Sequence, residues 1–170
     1  KTMIAMDERP LEAMTAALDV IRSVEPEFKV SLAGNYHEEI EKELYDLCIP
    51  FRASYPDGVI GRRRSEGKVT TYYTCCAEAY PNTFMASSPY EAAWIPWRAI
   101  AADCDGYLRW AYNSWTDDPV RDARFRTWAA GDCYMVYPDG RSSIRMENLI
   151  DGIQDVEKIR ILAEEWRAAG

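Results

Sequence analysis

Two adjacent carboxylates, Asp7 and Glu8, are the side chains of this sequence best suited to acid–base chemistry. They follow a short apolar run and precede Arg9-Pro10. One reading is capping, because acids ahead of a proline-started helix stabilise its N-terminus. The other is a catalytic pair at a strand end. Neighbours in an extended strand point to opposite faces. Where the strand ends the chain turns, and both carboxyls can then face one ligand. Such a pair does not reproduce the usual retaining arrangement, with carboxyls about 5 Å apart on either side of a sugar. It suits the substrate-assisted exception, in which a 2-acetamido oxygen attacks the anomeric carbon. One carboxylate then holds the acetamido N–H while its neighbour protonates the leaving oxygen.

Further candidates stand after later apolar runs. Asn35 and His37 follow the second, Tyr72, Tyr73 and Glu78 lie in and after the fourth, and Trp110, Tyr112, Asn113 and Trp115 end the fifth. A pyranose has an apolar C–H face, so Trp110, Tyr112 and Trp115 suit the walls of a sugar pocket. Tyr72 and Tyr73 join them as substrate-binding candidates, and Asn35, His37, Glu78 and Asn113 suit hydroxyls. The alternative for Trp110 and Tyr112 is interior packing, and for His37 a cap or a surface hydrogen bond. No metal is expected: His37 is the lone histidine, and adjacent Cys75-Cys76 is not a zinc-ligand spacing. No cofactor is expected either, since no glycine-rich phosphate loop follows any strand.

The elements that must position these residues alternate. Strands are expected at 1–6, 28–33, 48–53, 69–76 and 106–115. Helices are expected at 11–24, 38–47, 90–102 and about 143–168, with a short helix or turn within 55–66 and a further short strand at 133–137. The helix over 11–24 carries apolar residues at Leu11, Met14, Ala17, Leu18 and Ile21. Pro26 ends it, Pro96 is a candidate kink in the fourth helix, and Ser142 or Ser143 is the expected N-cap of the last. Strand–helix alternation every 20 to 30 residues is the signature of parallel α/β structure. Polar and aromatic residues gathered after several strands favour a (β/α)₈ TIM-type barrel, where strand ends converge on one site. About five strands are present where eight close a barrel. Residues 1–170 therefore read as a partial barrel, its C-terminal half.

The 170 residues carry a formal charge of −8, with 48% apolar and 28% charged residues. That balance opposes a nucleic-acid partner, which needs a basic footprint, and Arg62-Arg63-Arg64 is too short to reverse it. No apolar stretch reaches the roughly 20 residues of a membrane span. The five cysteines cannot all pair internally and read as free thiols.

Met6-Asp-Glu-Arg-Pro10, Gly34-Asn-Tyr-His37, Thr71-Tyr-Tyr-Thr-Cys-Cys76, Asp105 to Trp115 and Gly140-Arg-Ser-Ser-Ile-Arg145 together resemble glycoside hydrolase family 123. The resemblance covers essentially the whole chain in matching order. It implies a C-terminal (β/α)₈ catalytic barrel, with a preceding β-sandwich and the first strands lying outside this chain. It also implies retaining, substrate-assisted cleavage of terminal β-linked N-acetylhexosamine, with β-N-acetylgalactosamine the expected sugar. Under it Glu8 is the general acid and base, Asp7 orients the acetamido group, and a secreted or periplasmic location follows. The competing reading is an inactive carbohydrate-binding or structural fragment of such an enzyme. Open barrel edges would give either form a route to homo-oligomers.

Overall fold

The computed structural model describes residues 2–124 and 128–170. It contains β1 (Met3–Asp7), α1 (Leu11–Val24), β2 (Lys29–Ala33), α2 (Glu38–Glu41), β3 (Asp46–Pro50), α3 (Val59–Ser65), β4 (Val69–Thr74), α4 (Pro89–Ala101), β5 (Gly106–Arg109) and α5 (Ile144–Ala169). The strands form one sheet in the order β1-β2-β3-β4-β5. β1 to β4 pair in parallel. The expected parallel α/β class is what the chain adopts. The strand order follows the chain without reversal, as in a barrel and unlike a doubly wound sheet with its switch point. The chain forms two compact units, Lys1–Tyr73 with Asp103–Leu108, and Thr74–Ala102 with Arg109–Gly170.

In the first unit, alternation along β2 buries Val30 and Leu32, while β3 buries Leu47, Cys48 and Ile49 in succession. Met14 and Leu18 of α1 complete this core with Ile40 and Leu44. Continuous burial in β3 fits a strand with neighbours on both edges and cover on both faces. Burial also pushes the Cys48 thiol up to about 12, so it stays protonated at neutral pH.

The helix expected over 38–47 stops at Glu41, and β3 begins at Asp46 rather than at 48. The cause is Arg63, which is fully buried. Its guanidinium bonds Glu41 Oε1 at 2.6 Å and collects the carbonyls of Glu41, Leu44, Tyr45 and Val69 at 2.8–3.2 Å. The Leu44 and Tyr45 carbonyls thus find their partner in Arg63 and not in a further helical turn. The Tyr45 N–H turns instead to Val30 O at 2.8 Å, which opens the pairing of β3.

In the second unit, α5 begins where Ser143 Oγ accepts the Met146 N–H at 3.1 Å. At α4 the Glu91 carboxylate accepts the Ser88 and Asn82 N–H groups at 3.0 and 2.9 Å. A Cβ on Gly152 of α5 would lie 2.3 Å from Ala93 O of α4, so the glycine permits their close approach. The strand expected over 106–115 ends at Arg109. Beyond it the backbone takes other partners: Met135 N–H bonds Tyr112 O, Ser114 N–H bonds Cys133 O, and Asn113 bridges Tyr134 antiparallel. The short strand expected over 133–137 is reduced to that single bridge. No helix among the described residues is long and apolar enough to cross a membrane.

Candidate active site

The first unit places Asp7 as the last residue of β1, in register with Ala33 at the end of β2. The next residues along each strand, Glu8 and Gly34, therefore face each other. A Cβ on Gly34 would lie 3.3 Å from Glu8 Cβ, a contact tight enough to displace the carboxylate arm. One residue further on, Asn35 Nδ2 donates to Glu8 Oε1 at 2.6 Å. The Arg9 guanidinium donates to Asp7 Oδ2 at 2.8 Å and to the Glu8 carbonyl at 2.7 Å. Asp7, Glu8 and Asn35 are all exposed. Helix α1 starts after Pro10 with no side-chain cap. The side-chain hydrogen bonds of the two carboxylates go to Arg9 and Asn35, and neither carboxylate caps α1 by a hydrogen bond. Asp7 Oδ1 and Glu8 Oε2 carry no protein hydrogen bond among the described residues.

Other residues of the same unit divide by burial. His37 is half-buried and precedes α2, its carbonyl accepting the Glu41 N–H at 3.0 Å. Tyr73 is half-buried, and its carbonyl accepts the Phe51 N–H. Tyr72 is turned inside at 4% exposure, its ring 5.7 Å from Phe51 and 5.4 Å from Tyr107. That position makes it a packing residue of the unit.

In the second unit, Trp110 and Tyr112 are exposed, and the Trp110 indole stands 5.5 Å from Trp128. The Trp110 N–H reaches Asp132 Oδ1 at 3.3 Å. Asp132 is itself buried and paired with Arg109, which also bonds Asn82 Oδ1 and Thr74 O. Asn113 is exposed, with its backbone in the bridge to Tyr134. Trp115 packs on Ala111, Cys133 and Tyr134 and donates its indole N–H to Val136 O at 2.7 Å. Glu78 is buried and accepts the Cys75 N–H at 2.7 Å, tying the loop after β4. Burial, with Glu78 and Cys76 nearby, pushes the Cys75 thiol up to about 11. Cys48, Cys104 and Cys133 are buried, whereas Cys76 is exposed.

Sequence reasoning passed over the supporting roles of Gly34 and Arg9 and the whole Arg109–Asp132–Asn82 cluster. The signal for the first lay in Gly34-Asn35 ending a strand beside the dyad's strand. The cluster has no local signal, because its members are 23 and 27 residues apart. Among the described residues, no group of three or more His, Cys, Asp and Glu is placed to hold a metal ion.

No curated protein sequence matches the chain. A solved structure of a family 123 glycoside hydrolase from Clostridium perfringens, described in terms of glycolipid glycan hydrolysis, is similar with a TM-score of 0.86 and 28% identity. The likeness covers 96% of this chain and 31% of that one, so the chain spans under a third of that relative's length. The family described as glycoside hydrolase 123, catalytic domain, matches residues 1–162. With nearly every residue inside that match, the chain belongs to glycoside hydrolase family 123.

Proposed function

We propose that the protein is a glycoside hydrolase that removes terminal β-linked N-acetylhexosamine, with β-N-acetylgalactosamine on a glycan or glycoconjugate as the substrate, by a retaining, substrate-assisted mechanism. The observation that carries this reading is the exposed Asp7–Glu8 pair at the carboxyl end of β1, each carboxylate with one oxygen held and one open. In the first step the acetamido oxygen attacks C1 and the bond to the leaving oxygen breaks. Glu8 gives its proton to that oxygen, and Asp7 accepts the acetamido N–H as positive charge develops on nitrogen. In the second step water adds to C1, the C1–acyl oxygen bond breaks, and Glu8 takes the proton from water. Two displacements retain the configuration. His37 follows β2 in the same unit and is proposed to contact the substrate. Trp110 and Tyr112 expose ring surface in the second unit, and sugar stacking is proposed for them on that exposure.

The test is the full-length protein on aryl β-N-acetylgalactosaminides, with proton NMR of the first-formed sugar. The β anomer should appear first, and Glu8→Gln should lose roughly 10²- to 10⁴-fold in rate. An inverted product, or equal cleavage of a matched substrate lacking the N-acetyl group, would refute the mechanism. We also propose that the 170 residues by themselves turn over little substrate and self-associate. Five strands leave β1 and β5 as edges, and Val20, Val24, Trp94 and Trp166 are exposed. Light scattering that shows a monomer at high concentration would contradict the second point.

A further inference from the structure

We infer that Asn35 is a positioning residue for proton transfer, its amide fixing which oxygen of Glu8 gives and takes the proton. This inference rests on the substrate-assisted reading of Asp7 and Glu8. The two carboxylates are sequence neighbours and both exposed, so sequence position alone does not assign their roles. Their partners differ in charge. Arg9 presents a guanidinium to Asp7 Oδ2 at 2.8 Å, and a guanidinium is a donor that keeps its charge. It matches a carboxylate that remains an acceptor through both steps, as the holder of an acetamido N–H must. Asn35 presents a neutral amide to Glu8 Oε1 at 2.6 Å. The carbonyl oxygen of a protonated acid still accepts an N–H, so this bond survives both protonation states of Glu8.

The amide also selects the oxygen that carries the proton. With Oε1 engaged by an N–H, the proton of Glu8 resides on Oε2, the oxygen without a protein partner among the described residues. Glu8 then gives and recovers its proton at a single atom. Gly34 contributes by leaving room for Glu8, and its N–H is fixed to Cys48 O at 2.9 Å, which anchors the backbone just before Asn35.

The test is a leaving-group series of aryl β-N-acetylgalactosaminides, from dinitrophenyl to unactivated aglycones, turned over by the full-length protein and its variants. Asn35→Ala should lose about tenfold to a hundredfold in kcat/KM on poor leaving groups, as expected for a misplaced acid. It should keep near-normal kcat/KM on the dinitrophenyl substrate, whose leaving group departs without a proton. Asn35→Asp has the same shape but no N–H donor, and should show the same leaving-group dependence if the alanine variant fails to fold. A loss equal across the series, or carried by KM, would make Asn35 an ordinary sugar contact and overturn the inference. Unchanged kinetics would overturn it too. Glu8→Gln and Asp7→Asn serve as controls: if both retain wild-type activity, the functional reading itself is wrong. If both fail while the Asn35 variants stay flat, only this inference falls.

Discussion

Asp7 and Asp132 are both aspartates paired with an arginine, yet the Asp7 side chain is 73% exposed and that of Asp132 is fully buried. Asp7 closes a strand of the first unit, where its side-chain hydrogen bond among the described residues is to an exposed Arg9. Asp132 lies in a loop of the second unit, where its carboxylate meets Arg109 and Trp110 and its partner Arg109 is only 5% exposed. An exposed pair is worth about 0–1 kcal/mol and leaves the carboxylate able to exchange partners with a ligand. A buried pair is locked, because losing one member strands the other charge away from water. The same two residue types are thus proposed for chemistry in one unit and build loop architecture in the other, and solvent access is the variable that separates them.

The sharpest way to break this comparison is Asp132→Ala. It should cost about 3–5 kcal/mol, the penalty for an uncompensated buried arginine, read by urea unfolding. A loss below 1 kcal/mol would mean that Arg109 relaxes to water and that burial is not the divide. The first unit has its own buried pair, Glu41 with Arg63, which sharpens the contrast with Asp7. Burial pushes the Glu41 carboxyl up, but hydrogen bonds from Arg63 and Arg62 outweigh it and hold the group below its ordinary 4.5. A lowered folded-state value means that the pair's stabilisation is complete above the ordinary carboxylate range. It is lost as pH falls from about 4.5 through the lowered value. Unfolding midpoints measured from pH 7 to 3 should fall through that window, and Glu41→Gln should flatten the fall.

Smaller effects follow. Gly152→Ala should destabilise by roughly 1–3 kcal/mol, because its Cβ meets the Ala93 carbonyl of α4 and the helices must separate. Thermal melts of the second unit's helices would show it. Asp7→Asn should change stability by less than about 1 kcal/mol while removing most activity, since its partner is solvated. A stability loss matching that of Asp132→Ala would erase the distinction between the two carboxylates.

Much of the fold was legible from local pattern. The helix over Leu11–Val24 was bounded correctly at both ends, because its apolar period lies within the segment and Pro10 and Pro26 stand beside it. The parallel α/β class followed from strand–helix alternation, and the order of motifs pointed to the family that residues 1–162 match. The end of α2 was not legible, since Arg63 takes carbonyls from a segment about 20 residues earlier. Nor was the end of β5, where residues 112–114 turn to 133–135.

The candidate site divides in the same way. Sequence alone placed Asp7 and Glu8 at a strand end, because an apolar run followed by two acids, Arg and Pro is a local signal. It grouped Tyr72 and Glu78 with Trp110 and Tyr112 by residue type, whereas the structure buries the first two and exposes the others. It could not show that Asn35 bonds Glu8 across 27 residues or that Gly34 clears the space for it. Those relations come from the register of β1 against β2, which sets Asp7 opposite Ala33. Composition and period are properties of one segment and can be read from it. Register and burial are properties of two segments at once, and only the folded chain brings the second one into place.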